Sequence, residues 1–351
     1  MQNLFQPNYN SFKIILLIGF CTFLLWLFIL QNVQSQNFEI KKIQLKNLKD
    51  PKIEPKNDKN LFYIDTYRML SNYSMKKSLK IGKRQACAIE SGARLNPNLN
   101  VFVMYMANQS HQQQYLTVTP ILEAVMTYSN VKFVTVEHAS FIKDTPLEEF
   151  FINQLPQSQY PIEHASDAYR LLVLWLYGGI YLDTDVISLK SSENSPENFA
   201  CDDGEGDLVS NAIMKMKRNE KITKMFMTYI TENWNPTEWG ANGPIAITSV
   251  ISRVCNTNST SEMIKMGNCD GFYILPQEVC YPIPWPQWRS LFNFNKHLAD
   301  KVMKMINSSM TIHLWNNLSK RHKIDVNRDT AFNRIAQIYC PRVFQSMKMR
   351  K

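Results

Sequence analysis

Residues 166–190 read SDAYRLLVLWLYGGIYLDTDVISLK, and the fold turns on how this stretch divides. Apolar residues recur at helical spacing up to Tyr177, behind Ser166, a good N-cap, and Asp167, which suits the positive end of a helix. Asp167 and Arg170, three apart, share one helical face, where the simplest outcome is a surface ion pair worth at most about 1 kcal/mol. Gly178 and Gly179 stop the helix, the first expected in the left-handed region, and release the chain into an apolar strand, Ile180-Tyr181-Leu182. That strand runs into Asp183-Thr184-Asp185 at its carboxyl end, where open α/β sheets place their ligands. In extended chain the two aspartates point to the same side. With no Lys or Arg beside them in sequence they need a compensating cation, and a hard divalent ion such as Mg²⁺ or Mn²⁺ meets that need.

A bare Asp-x-Asp usually marks a solvated turn; here the strand before it and the Gly-Gly pair raise its meaning. A dehalogenase-type phosphatase wants a different follow-on than Val186-Ile187. An EF-hand counted from Asp183 requires Gly and Glu where Ser188 and Asn194 stand. Outward from this stretch, 61–64, 101–106 and 131–136 read as strands, and 119–128 and 166–177 as helices. Strands alternating with helices predict an α/β fold with a mostly parallel sheet covered on both faces. The 11 glycines form neither GxGxxG nor a P-loop, which excludes the usual dinucleotide and nucleoside-triphosphate cradles.

The chain has 351 residues, enough for one large or two ordinary domains, and a net charge of +9. Eight lysines against four acids lie within residues 1–60, so nearly half of that excess belongs to the N-terminal segment. No dense basic block occurs and no nucleic-acid partner is expected. Residues 14–30, IILLIGFCTFLLWLFIL, are uncharged and span roughly 26 Å as a helix. The run exceeds a usual signal-peptide core, so it reads as an uncleaved transmembrane anchor behind a short tail, 1–13. The polar, Lys-rich residues 31–60 read as a stem, and 61–351 as the folded domain. Sequons at Asn72, Asn108, Asn258, Asn307 and Asn317 and six further cysteines without CxxC spacing place that domain in an oxidising lumen. Cys255 and Cys269, flanking a sequon, are the expected pair; the other connectivities stay open.

Several motifs in order give the chain a family resemblance. They are ACAIESGARLNPN (86–98), the DAYRLLVLWLYGGIYLDTDVI block, WGANGP (239–244), YPIPWPQW (281–288), HLWN (313–316) and YCPRVFQSMK (339–348). Over roughly 61–348 the chain resembles the α-1,4-glycosyltransferases with a DXD sugar-binding region. The resemblance implies a GT-A-like fold behind one transmembrane helix and a lumenal catalytic domain on the Golgi membrane. It also implies a UDP-sugar donor, Mn²⁺, a glycolipid or glycan acceptor, and retention of anomeric configuration. By the same resemblance Asp183 and Asp185 bind metal and the ribose-diphosphate region, and Asp167 and Arg170 meet the donor hexose and diphosphate. His313 is either a third metal or phosphate contact, with Trp315 beside it, or a core histidine. Asn242 and Asn211 are candidates for the reacting centre, their alternative being loop hydrogen bonding. Trp285 and Trp288 either stack on an acceptor sugar or simply pack. Cys280, where an apolar residue is expected, departs from the pattern. A non-catalytic carbohydrate-binding protein on the same fold is the alternative function.

Overall fold

The computed structural model describes residues 41–66, 79–107 and 114–349 and, within the apolar run, Thr22 and Trp26. The rest of the expected anchor, and the sequons at Asn72 and Asn108, lie outside the described residues. Among the described residues no helix is long and apolar enough to cross a membrane.

Lys42–Lys351 form one compact unit. Its strands in chain order are β1 (Lys42–Gln44), β2 (Lys46–Asn47), β3 (Asn60–Asp65), β4 (Asn100–Ala107), β5 (Tyr115–Thr117), β6 (Val131–Glu137), β7 (Gly179–Leu182), β8 (Val186–Ser188), β9 (Phe199–Asp202), β10 (Val209–Met216), β11 (Tyr273–Leu275) and β12 (Thr311–His313). Among the described residues the main sheet has the order β11-β9-β10-β7-β3-β4-β6-β2. The run β7-β3-β4-β6-β2 is parallel throughout, and β10 lies antiparallel between β7 and β9. This is the mostly parallel α/β sheet expected. Its strands carry apolar residues on both faces. Leu61, Tyr63, Val101 and Val103 join one core layer with the Lys83–Leu95 helix, and Phe62, Ile64, Phe102 and Met104 join the other with the Pro161–Tyr177 helix.

The structure moves two boundaries. The expected stem is 31–60, yet within it β1 pairs with β5 and β2 adds to β6, with Leu45 buried in one core layer and Leu48 in the other. The lysines of this segment dominate the composition and hide the apolar positions Ile43, Leu45 and Leu48. The second shift is at the helix before the DXD segment, which starts at Pro161 rather than behind Ser166. Proline's fixed φ and missing N–H suit the first helical position, so Tyr160-Pro161 was the true start signal. Asp167 therefore sits in the second turn, away from the helix terminus.

Gly178 closes that helix with φ 66° and ψ 167°, outside the left-handed helical region expected for it and in territory open essentially to glycine. At Gly179, φ 115°, a Cβ would run into the Asn60 carbonyl. The pair thus lets the chain turn sharply and lie against β3, which aims β7 and the aspartates after it.

All six cysteines outside the apolar run are paired: Cys255–Cys269 as expected, Cys201–Cys280 and Cys87–Cys340. Cys280 thereby has its explanation, as the partner of a β9 residue.

Candidate active site

β7 ends at Leu182 and the chain turns through Asp183-Thr184-Asp185 into β8. β8 leaves the main sheet and pairs antiparallel with β12, in the register Val186↔His313. That pairing sets the histidine of HLWN beside the second aspartate although 128 residues separate them. One ligand atom from each of Asp183, Asp185 and His313 lies within 4.8 Å of the others.

The three residues differ in their surroundings. Asp185 is 6% exposed; its Oδ1 meets His313 Nε2 at 3.1 Å and its Oδ2 accepts the Asn316 backbone N–H at 2.6 Å. Burial pushes its carboxyl up, but the imidazole's charge and these hydrogen bonds outweigh burial and hold it below the usual range. Burial acts on His313 in the opposite sense, and the Asp185 carboxylate overcomes it, so the imidazole is raised above its ordinary value. Its Nδ1 is buried and has no hydrogen-bond partner among the described residues. Asp183 is more open and accepts the Tyr181 hydroxyl at 2.7 Å. Two carboxylates and an imidazole whose Nε2 already faces Asp185 fit a divalent ion that takes oxygen and nitrogen donors. His313 is thus brought to the cluster rather than left as an isolated core residue.

Beside the cluster lies a second, drier group. Arg170 Nη2 sits 3.2 Å from Asp167 Oδ1 and 3.3 Å from Asp183 Oδ1, and its Nη1 donates to the Asn211 carbonyl at 3.0 Å. The guanidinium lies 4.7 Å from the Tyr181 ring centroid. Both Asp167 and Arg170 are more than nine-tenths buried, so the pair is an interior one and not the surface ion pair that spacing alone allows. Burial raises the Asp167 carboxyl against the opposing pull of Arg170 and of the Asn211 amide, which donates to Asp167 Oδ1 at 2.9 Å. Asn211, on β10, therefore holds Asp167. Gly243 of WGANGP packs so closely here that a Cβ would sit 2.9 Å from Asp167 Oδ2 and 3.1 Å from Asn211 Oδ1. Its neighbour Asn242 is 1% exposed, and Asn242 Nδ2 has no partner among the described residues.

The third wall comes from 281–288 and 313–316. The Trp315 ring lies 4.2 Å from the His313 ring and 5.6 Å from Tyr281, and its Nε1–H donates to the Ile283 carbonyl at 2.9 Å. Trp315 has φ 53°, a conformation that costs a side-chain-bearing residue about 1–3 kcal/mol and persists only when neighbours hold it. The two tryptophans of YPIPWPQW divide. Trp288 is half-buried, packed against Phe292 and His322, whereas Trp285 is 46% exposed. Packing thus accounts for Trp288, and Trp285 keeps a free face.

Sequence reasoning missed Tyr181, Ser166, Tyr281, Gly243 and Asn316. Ser166 Oγ accepts from Arg170 Nη2 at 3.0 Å, and Tyr281 donates to Ser210 at 3.0 Å. Tyr181 was legible in principle, since it faces the same way as Asp183 two residues on. A backbone N–H such as that of Asn316 leaves no mark in a sequence.

An α/β sheet that delivers Asp-x-Asp from a strand's carboxyl end, next to a buried Asp–Arg pair one helix back, is the arrangement expected of a DXD glycosyltransferase. The comparisons agree. Residues 82–200 match the model of a glycosyltransferase sugar-binding region containing the DXD motif, and 215–347 that of the α-1,4-glycosyltransferase conserved region. Both regions of the α-1,4-glycosyltransferases are thus matched in order along the chain, which is a hexosyltransferase. Among its relatives is the Homo sapiens lactosylceramide 4-alpha-galactosyltransferase, 26% identical over 75% of this chain and 72% of that one. Another is the Homo sapiens alpha-1,4-N-acetylglucosaminyltransferase, 26% identical over 75% of each. A solved structure of galactosyltransferase LgtC with donor and acceptor sugar analogs aligns at 11% identity over 80% of this chain and 95% of that one, TM-score 0.39.

Proposed function

We propose that the protein transfers a hexose, galactose or an N-acetylhexosamine, from a UDP-sugar in α-1,4 linkage with retention, onto a glycolipid or glycoprotein acceptor. We infer further that it does so on a GT-A-like scaffold at the Golgi membrane, as a type II protein whose anchor is 14–30. The observation that carries the reading is the Asp183, Asp185 and His313 cluster set against the buried Asp167–Arg170 pair. The relatives named above, one acting on lactosylceramide and one named for N-acetylglucosamine, support the substrate classes.

Asp183, Asp185 and His313 would hold Mn²⁺, which supplies positive charge against the departing diphosphate. The chain's own residues do the remaining work. Arg170, its guanidinium held by Asp167, Asp183, Ser166 and the Asn211 carbonyl, places a fixed buried positive charge beside Asp183 and so favours an anionic diphosphate there. Asp167 accepts donor-sugar hydroxyls, and its orientation is set by Asn211. Asn242, buried with its amide N–H groups unspent, supplies hydrogen bonds next to the sugar pocket. Trp315, its ring against His313 and Tyr281, walls the site, and the exposed Trp285 ring is available to stack on an acceptor sugar.

The purified protein should release UDP from a UDP-sugar only when Mn²⁺ is present, and Asp185→Asn should abolish that release. Metal-independent turnover, or full activity in the variant, would refute the site assignment. Donor binding without any turnover across a panel of glycolipid and oligosaccharide acceptors would favour a carbohydrate-binding protein instead.

A further inference from the structure

Arg84 is a cation within reach of the site that the chemistry above does not use. It stands in the first turn of the Lys83–Leu95 helix and is 8% exposed. Arg84 Nη1 donates to Asn316 Oδ1 and Ser319 Oγ, each at 2.8 Å, and Nη2 donates to the His322 carbonyl at 2.8 Å. Its guanidinium carbon lies 4.6 Å from the Phe292 ring centroid. One rigid planar group thus grips three points of the segment 316–322, which lies more than 230 residues away in the chain.

The gripped segment is the one that finishes the metal cluster. Asn316 turns its side chain to Arg84 and its backbone N–H to Asp185 Oδ2. Ser319, also held by Arg84, donates to the Leu314 carbonyl at 2.7 Å, and Leu314 N–H donates to the Asp185 carbonyl at 3.0 Å. Between them Trp315 holds its left-handed conformation and stacks on His313. Asp185, and through the Trp315 ring His313, therefore border a loop that Arg84 ties to the Lys83–Leu95 helix in the same core layer.

We propose that Arg84 is a positioning residue for the metal-and-diphosphate site: by clamping 316–322 it orients the Asp185 carboxylate through Asn316 and keeps His313 beside it. This rests on the divalent-metal reading above. A lysine replaces it only in part, because a compact ammonium lacks the planar fork that spans Asn316, Ser319 and the His322 carbonyl. Outer partners of metal ligands typically set affinity by ten- to a hundredfold, and this one is expected at the lower end.

The test is Mn²⁺ binding by the full chain in detergent, read from the paramagnetic resonance signal of free Mn²⁺, alongside thermal unfolding. Arg84→Gln should weaken binding about tenfold, with Arg84→Lys intermediate, and Asn316→Ala, which leaves the backbone N–H in place, should weaken it about threefold. The Arg84→Gln/Asn316→Ala double variant should bind no more weakly than Arg84→Gln alone, because both cut the same link. Wild-type Mn²⁺ affinity in Arg84→Gln with only a lower melting temperature would overturn the proposal, as would fully additive effects. Should Arg84→Gln not fold, unchanged affinity in Asn316→Ala is refuting by itself. Failure of the unsubstituted chain to bind Mn²⁺ would overturn the metal reading, and this proposal with it.

Discussion

Replacing Asn211 by alanine separates a residue that positions from one that reacts. The Asn211 amide donates to Asp167 Oδ1 at 2.9 Å, and both residues are more than nine-tenths buried. Asn211→Ala removes one buried hydrogen bond to a charged acceptor, an interaction worth about 1.5–3 kcal/mol. The backbone carbonyl that receives Arg170 stays, and Arg170 still meets Asp167 at 3.2 Å, so the carboxylate is loosened and not orphaned. If the donor sugar depends on that orientation, the full bond energy appears as a fall in kcat/KM of roughly ten- to a hundredfold. The same loss lowers the melting temperature by roughly 3 °C for a unit of about 300 residues. The assay is initial-rate UDP release with the UDP-sugar varied at saturating acceptor, together with thermal unfolding. A loss beyond about ten-thousandfold with unchanged donor KM would mean that Asn211 touches the reacting atoms. No change in either quantity would mean that the bond holds nothing.

Three further outcomes follow from groups around the site. Glu90, fully buried, accepts the Tyr128 hydroxyl and the Arg342 and Val343 backbone N–H groups, capping the Pro341–Lys348 helix; Glu90→Gln must turn an NH₂ toward one of these donors and should cost about 2–4 kcal/mol, seen as a lower melting temperature at unchanged donor KM. Burial, above all, pushes the Asp203 carboxyl up to about 6, so its ionised form opposes folding; the penalty grows as pH rises from about 4 to about 6 and is full above that. After allowing for its partial exposure, Asp203→Asn should stabilise the protein by about 1 kcal/mol at pH 8 and by nothing at pH 4, measured by denaturant unfolding at both values. Trp285→Ala should raise the acceptor KM at unchanged melting temperature, whereas Trp288→Ala should lower the melting temperature by a few degrees, because only the second ring is packed.

The parts of this molecule that local chemistry decides were readable in its sequence. Apolar strands bounded by helical periodicity located β3, β4 and β6, and the Gly-Gly pair with the aspartates behind it located the site at a strand's carboxyl end. What escaped depends on distance along the chain. His313 was left between two roles because the β8–β12 pairing has no local signature. The partner of Cys280 was out of reach for the same reason. Asn211 reads as a candidate for the reacting centre, and its hydrogen bond to Asp167, 44 residues away, has no local signature either. Arg84 did leave a trace: it lies at positions i and i+3, i+4 and i+7 with Cys87, Ala88 and Ser91, all buried, and an arginine on the covered face of a helix requires a partner.

The β8–β12 pairing also bears on how such an enzyme is divided. The DXD motif lies within residues 82–200, yet the imidazole, the Asn316 N–H and the grip on Arg84 all arrive from residues 313–322. Neither region holds the candidate cation-binding set by itself. A chimera that grafts one member's DXD region onto another's C-terminal region would therefore transplant half a site. In this chain the two regions are then coupled through one candidate cation cluster, and the two should be exchanged together or not at all.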